Sequence, residues 1–179
     1  MFEKFIPDYI FNSLYDIPIS FFIEKNIKAV IFDIDNTLVA DGIPEPDDKT
    51  VGYIDQLKKH NIKLSIVSNN TEQRTRKFNE KLRLFYSFKS KKPLKSALKS
   101  SLSYFGKLEA NKIVMIGDQI LTDIFAAKRN GVIAILVKPI TVEKTRFFKF
   151  KRWIEKPFIK KYYKLKGKDF DVRDQITSK

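Results

Sequence analysis

The stretch 28–40 reads Lys-Ala-Val-Ile-Phe-Asp-Ile-Asp-Asn-Thr-Leu-Val-Ala, a short apolar run that ends on two acids. Ala29 to Phe32 carry two β-branched members and no polar residue, the pattern of a strand buried on both faces. Asp33 and Asp35 follow at i, i+2, and along a strand residues two apart point to the same side. Two carboxylates therefore share a small volume at the end of a buried strand. Unpaired buried charge is costly and like charges repel, so something positive belongs there. Mg²⁺ is the simplest candidate, because it accepts one or two carboxylates alongside waters and phosphate oxygens. The alternative is that the acids merely begin a turn, with Asn36 and Thr37 capping the next helix.

A chain of 179 residues suits one domain with a small extension. A hydrophobic share of 43% is enough for a core. The absence of cysteine excludes disulfides and thiolate metal sites and fits a reducing cytosol. No run approaches the roughly 18 apolar residues of a spanning helix. Glu3, Pro7 and Asp8 interrupt any signal-peptide core, so a cytoplasmic chain is expected. The net charge of +14 and pI near 9.8 point to an anionic partner: nucleic acid, a phosphate-rich ligand or a lipid surface.

Residues 1–27, with breaks at Pro7 and Pro18, read as a lead-in that packs on a sheet, with Ser20 a candidate cap for a short helix up to Lys25. The Gly- and Pro-bearing loop 41–48 precedes a helix predicted over 48–60, where Val51, Ile54, Leu57 and Lys58 share one side. His60, the sole histidine, falls at its C-terminus, a position that favours a cation and argues for no catalytic role. A second apolar run, 62–67, ends in Ser68-Asn69-Asn70 ahead of a helix over 71–84. Small polar groups at such a junction offer a hydroxyl and free N–H groups to an anion, or simply cap the helix. Lys91-Lys92-Pro93 precedes a helical stretch over 94–105, where Pro93 suits the first helical position. A third run, 112–116, leads into Gly117-Asp118-Gln119-Ile120-Leu121-Thr122-Asp123 and a helix ending near Asn130. Gly117 is read as easing a tight turn beside a ligand. Gly131 is a suitable helix terminator, and 132–137 is a further buried strand.

Taken together, these pieces resemble the haloacid dehalogenase (HAD) superfamily of phosphatases. Asp33-Ile34-Asp35-Asn36-Thr37 is similar to its motif I, Ser68 to motif II and Lys92 to motif III, with Lys91 the alternative. Gly117-Asp118 with Asp123 is similar to motif IV. The order matches, and each piece lies at a predicted strand end or helix start, where open α/β sheets bind ligands. The strand–helix alternation independently argues for a layered α/β sheet. The expectation is a three-layer HAD-like (Rossmannoid) α/β fold with a mostly parallel sheet, resembled over 28–140. The phosphatase domain is read as 1–142, and 143–179 as a basic aromatic extension.

The distances between motifs leave no room for a large cap. Residues 37–68 hold one loop, one helix and one strand, and 70–92 hold a helix and a short strand. Lids enclose small substrates, so an open site suits a macromolecule or a lipid in a bilayer. The segment 145–168 interleaves Lys and Arg with Phe147, Phe148, Phe150, Trp153, Phe158, Tyr162 and Tyr163, with Glu155 as its one acid. This composition fits an anionic lipid surface, with Trp153, Phe158 and Tyr162 in shallow apolar contact. It also fits nucleic acid, or a tail packed on the domain through its aromatics. Pro157 is expected to break or bend any single long helix.

At finer grain the chain is similar to the YqeG family of subclass IIIA HAD phosphatases, on Phe32-Asp33-Ile34-Asp35-Asn36-Thr37-Leu38-Val39, Ser68-Asn69-Asn70, Lys92-Pro93 and Gly117-Asp118-Gln119 with Thr122-Asp123. One departure is the loop at Asp41-Gly42, where relatives often carry a bulky residue. The resemblance implies Mg²⁺-dependent conversion of phosphatidylglycerophosphate to phosphatidylglycerol, on the inner face of a membrane. It makes Asp33 the nucleophile, Asp35 the acid and base, and Lys92 the catalytic lysine. Thr37, Ser68 and Asn69 would serve substrate, with Thr37 steadying the loop. Asp33, Asp35 (through its backbone carbonyl), Asp118 and Asp123 would form the metal site. The alternatives are a HAD phosphatase for a soluble, nucleic-acid or protein phosphate, and a non-catalytic RNA- or partner-binding protein.

Overall fold

The computed structural model describes residues 2–141 and 145–166. Its centre is the strand β2 (Ala29–Phe32), every residue of which is buried. Val30 and Phe32 join one apolar cluster and Ala29 and Ile31 the other, so the run is apolar because each face supports its own core. Around it lie β1 (Tyr9–Phe11), β3 (Lys63–Val67), β4 (Phe85–Ser87), β5 (Ile113–Gly117) and β6 (Ile133–Val137). They form one six-stranded sheet in the order β1-β6-β5-β2-β3-β4. All pairs are parallel, with Phe32 opposite Ile66 on one side and Ile116 on the other. The expected α/β architecture is the one observed.

The edge strand β1 escaped the hydrophobic pattern, whereas β4 takes the place of the short strand expected within 70–92. The lead-in does more than pack on the sheet: β1 joins it beside β6, and Asp8 fixes it there. Its N–H donates to the Ala134 carbonyl at 2.8 Å, and its carboxylate accepts from the Ala134 N–H at 2.8 Å and from Lys128 at 2.6 Å. Pro18, rather than Ser20, stands at the start of α1 (Ile19–Glu24), which buries Phe21 and Phe22.

Helix α2 (Asp48–Lys59) starts at Asp47, whose carboxylate accepts from the Thr50 N–H. Its buried face is Thr50, Tyr53, Ile54 and Leu57. Lys58 is exposed and bonds the Leu82 carbonyl and Asp55 instead of sharing that face. Helix α3 (Glu72–Leu82) ends earlier than predicted, because Arg83 turns left-handed at φ 52°. The Asn79 side chain then bonds both the N–H and the C=O of Leu84, steering the chain into β4. Pro93 is not a first helical residue. It precedes a 3₁₀ turn over Lys95–Leu98, and α4 (Lys99–Phe105) follows. The next helix opens with a π-helical turn, Ile120–Ile124, before α5 (Phe125–Arg129).

The segment after β6 departs most from expectation. It forms one helix, α6 (Arg146–Lys166), with Pro157 inside it. The Pro157 ring is exposed, so the carbonyl it deprives of a partner lies towards water, while tertiary contacts hold the helix on both sides of it. Phe158 and Tyr162 are buried in the cluster containing Ile6, Ile10, Ile120 and Ile124. Phe158 lies 4.8 Å from the Phe2 ring and 5.1 Å from Phe5. These two aromatics therefore face the core and not a bilayer, whereas Trp153 is 65% exposed. Lys168 and the 142/143 boundary lie outside the described residues. Among those described, no helix is long and apolar enough to cross a membrane. If α6 is docked as observed, Phe158→Ala removes a ring from a packed cluster. It should cost about 3 kcal/mol, read as a lower urea midpoint; an unchanged midpoint would mean that α6 does not contribute to the core.

Candidate active site

Parallel strands bring their carboxyl ends to one edge of the sheet. There β2 runs into Asp33, β3 into Ser68 and β5 into Asp118. The Asp33 N–H still donates to the Ile116 carbonyl at 3.0 Å, so the first acid is held by the sheet itself. Asn36 then turns at φ 59°, and the N–H groups of Thr37, Leu38 and Val39 return to the Ile34 carbonyl. No helix follows until Asp48, so Asn36 and Thr37 cap nothing. Instead the Asn36 side chain accepts from the N–H and hydroxyl of Thr141, tying this loop to the chain after β6. Thr37 is buried beneath the loop and does not line the cavity.

The Lys92 ammonium lies 2.6 Å from Asp33 Oδ1 and 2.8 Å from Asp123 Oδ1, with its side chain only 2% exposed. Lys91 next to it points to solvent. Burial alone would lower the Lys92 pKa, but Asp123 and Asp33 more than offset this and hold it above its ordinary value. Asn69 brackets Lys92 by accepting from its N–H at 2.8 Å and donating to its carbonyl at 3.1 Å. Arg129 donates to the next carbonyl, Pro93, at 3.2 Å. The lysine is thus placed by the β3 loop and by α5, with little freedom left to lose on binding.

Asp35 is turned away from this pair. Its carboxylate accepts from Arg74 at 2.9 Å and from the Asn70 side chain at 3.3 Å. Ser68 is buried, and its hydroxyl accepts from the Asn70 N–H. Asp33, Asp35, Ser68, Asn69 and Lys92 line one cavity of about 330 Å³.

Asp33, Asp118 and Asp123 are all buried and bring ligand atoms within 4.8 Å of one another. Asp35 is absent from this carboxylate cluster. Burial pushes the Asp33 carboxyl up to about 7, with Lys92 opposing the rise and Asp123 adding to it. Burial and the neighbouring Asp123 and Asp33 also push Asp118 well above the ordinary carboxyl value, against Arg152. Oδ1 of Asp118 is buried without a hydrogen-bond partner. Three crowded acids with an orphaned oxygen are a donor set that a hard divalent cation fits. Gly117 serves this cluster by space rather than by a special turn. A Cβ there would fall inside contact distance of Asp123 Cβ, Cγ and Oδ2.

Several site residues were not anticipated. Arg74 sits on α3, in plain helical sequence, and only the fold carries it to Asp35. Lys151 of α6 lines the cavity, and Arg152 reaches both the carboxylate and the carbonyl of Asp118. The one available signal was Glu155, an isolated acid in a basic stretch. It is buried, and it accepts from the Ile120 and Leu121 N–H groups at 2.7 and 3.2 Å.

This fold and site define a phosphatase of the HAD superfamily, and comparison with known proteins narrows the class. Residues 2–141 match the family described as mitochondrial PGP phosphatase, and the chain belongs to that family. It is 34% identical over 152 residues to the probable phosphatase YqeG of Bacillus subtilis (strain 168), across 85% of this chain and 88% of the relative. Among solved structures, a HAD-superfamily hydrolase from Ehrlichia chaffeensis aligns with a TM-score of 0.54 at 19% identity, covering 74% of this chain and 98% of the other. The cobalt-bound deoxy-D-mannose-octulosonate 8-phosphate phosphatase of Haemophilus influenzae aligns with a TM-score of 0.52 at 16% identity, covering 86% and 98%. These two speak for the fold.

Gly117→Ala should displace Asp123 from Lys92 while leaving β5 paired. Turnover of a small phosphomonoester should fall at least about tenfold, about 1.4 kcal/mol in the barrier. Unchanged turnover in the folded variant would remove Asp123 from the working site.

Proposed function

We propose that this phosphatase removes the terminal phosphate of phosphatidylglycerophosphate at the cytoplasmic face of a membrane, with Mg²⁺ as cofactor. The observation that carries the catalytic part is Asp33: a carboxylate held by the sheet at the mouth of an open cavity, beside a buried lysine and two further buried acids. Family membership supports the lipid substrate.

Asp33 attacks phosphorus, and its new bond forms as the bond to the glycerol oxygen breaks. Asp35 gives a proton to that leaving oxygen. In the second half, Asp35 takes a proton from water, the water oxygen attacks phosphorus, and the bond to Asp33 breaks to release inorganic phosphate. Arg74 and Asn70 keep Asp35 in place for both transfers. Lys92 stabilises the charge that gathers between Asp33 and the phosphoryl oxygens. Ser68 and the Asn69 N–H orient those oxygens, and Thr37 steadies the loop. Asp33, Asp118 and the Asp35 carbonyl would hold Mg²⁺, which would supply further neutralisation of the charge on the phosphoryl group. Asp123 holds Lys92.

Two features support a surface-bound substrate over a small soluble one. Among the described residues no large cap covers the cavity, and α6 turns Lys149, Phe150, Trp153, Lys156, Lys160, Lys164 and Lys166 to solvent. Anionic lipid attracts each such basic residue by about 1 kcal/mol near the surface. The same face would suit other phosphate-bearing polymers, which makes a nucleic-acid phosphate the second reading.

Asp33→Asn should abolish turnover without unfolding the chain, since an amide cannot attack phosphorus. Chelation should stop the wild-type reaction, and Mg²⁺ should restore it. Persistent activity in either case would overturn the mechanism. The substrate is tested by assaying vesicles that contain phosphatidylglycerophosphate beside a panel of soluble phosphomonoesters and phosphorylated RNA. Vesicle binding should weaken steeply with salt, as charges are screened within about 10 Å at 0.1 M. Lys160→Glu with Lys164→Glu should reduce vesicle hydrolysis and spare hydrolysis of a small phosphomonoester. Preference for RNA over vesicles at equal salt would move the second reading ahead.

A further inference from the structure

Helix α6 lies beyond residues 2–141, the part of the chain that matches the family, yet it touches the deepest part of the site. The Arg152 guanidinium donates through Nη2 to Asp118 Oδ2 and through Nη1 to the Asp118 main-chain carbonyl. The same Nη1 donates to Glu155 Oε2 at 3.0 Å. Glu155 Oε1 accepts from the N–H groups of Ile120 and Leu121, two and three residues past Asp118. One i, i+3 pair on α6 thus grips the loop after β5 at four points: a side chain, a carbonyl and two N–H groups.

The arrangement differs from a surface ion pair. The Asp118 carboxylate is fully buried, and the Glu155 and Arg152 side chains are 2% and 25% exposed. Arg152 engages only one carboxylate oxygen and leaves Oδ1 buried and unpartnered. Its planar fork spans a side-chain oxygen and a main-chain oxygen of the same residue, which fixes the rotation of Asp118 as well as its charge. A lysine, a single point donor on a flexible stem, cannot span both. The charge balance agrees: Asp33, Asp118 and Asp123 crowd together, and Lys92 engages the first and last, leaving Arg152 as the cation on Asp118.

We infer that Arg152, braced by Glu155, is a positioning residue that holds Asp118 with one oxygen presented to a divalent cation, so that α6 is a working part of the metal site. The inference rests on the reading of Asp33 and Asp118 as ligands of Mg²⁺. Residues outside the ligand set that orient a ligand commonly govern metal affinity by 10- to 100-fold.

The test is Mg²⁺ binding to the full chain by calorimetry, without substrate, with the melting temperature of each metal-free variant as the fold control. Arg152→Gln should weaken Mg²⁺ binding by about tenfold or more. Arg152→Lys, which keeps the charge and loses the fork, should recover only part of that. Glu155→Gln keeps its shape and loses the ion pair, so it should weaken binding in the same direction and less, and it serves if Arg152→Gln does not fold. Activity should return in the Arg152 variants at raised Mg²⁺, a rescue that simple structural damage would not give. Equal or tighter Mg²⁺ binding in folded Arg152→Gln overturns the inference, as does full recovery by Arg152→Lys. Failure of the wild-type chain to bind Mg²⁺ overturns instead the metal reading beneath it.

Discussion

The site depends on one buried ammonium. Lys92 stands between Asp33 and Asp123 with almost no access to water, and removing one partner of such a pair commonly costs 3–5 kcal/mol. An exposed pair such as Lys58–Asp55 is worth about 1 kcal/mol at most. Much of the surrounding structure answers to that difference. Asn69 and Arg129 hold the backbone on either side of the lysine. Gly117 has no side chain because Asp123 occupies the space one would need. The parallel register of β2 and β5 brings Asp33 and Asp118 to the same end of the sheet, one position out of step. The acids remain more numerous than the cations that face them, and this excess is what makes the cluster receptive to a divalent ion.

The parts that were legible in the sequence are those where one residue carries a constraint by itself. Strands β2, β5 and β6 must be apolar on both faces, so each is a short unbroken run with an acid or a turn at its end, and β3, interrupted by Lys63 and the buried Ser65, still leads into Ser68. Asp33, Asp118 and Ser68 follow from those ends, whereas Lys92 rests on the family resemblance, and the structure gathers Asp33, Asp35, Ser68, Asn69 and Lys92 around one cavity. The edge strands β1 and β4 have three residues each and need cover on fewer sides, so neither shows a distinct pattern. β1 is placed instead by Asp8, through contacts 120 and 126 positions away, and β4 by the local turn at Asn79 and Arg83.

Contacts of long sequence separation account for the rest. Arg74 meets Asp35 across 39 positions, and Arg152 meets Asp118 across 34. In a chain this rich in Lys and Arg, no single cation stands out from its neighbours by composition. Pro157 does not break α6 because its cost is local, whereas the gain from docking Glu155, Phe158 and Tyr162 on both sides of it is tertiary. The acid was the better guide. Glu155 lies among basic residues that could not stop the N–H groups of Ile120 and Leu121, so its isolation marked a specific task.

The two faces of α6 change how a membrane role must be argued. Phe158 and Tyr162 are part of the core, which leaves Phe150, Trp153, Tyr163 and Leu165 as the exposed large apolar groups among its described side chains. Deleting the helix would strip away the proposed surface-binding face, core aromatics and the grip on Asp118 at once, so loss of lipid hydrolysis after truncation would not reveal which was responsible. Substitution on the solvent face alone separates them. The geometry also gives surface binding a short route to chemistry. Trp153 faces outward while Arg152 beside it holds Asp118, and Lys151 lines the cavity. With no large cap among the described residues, these consecutive residues join the outer surface to the buried acid cluster within a single helical turn.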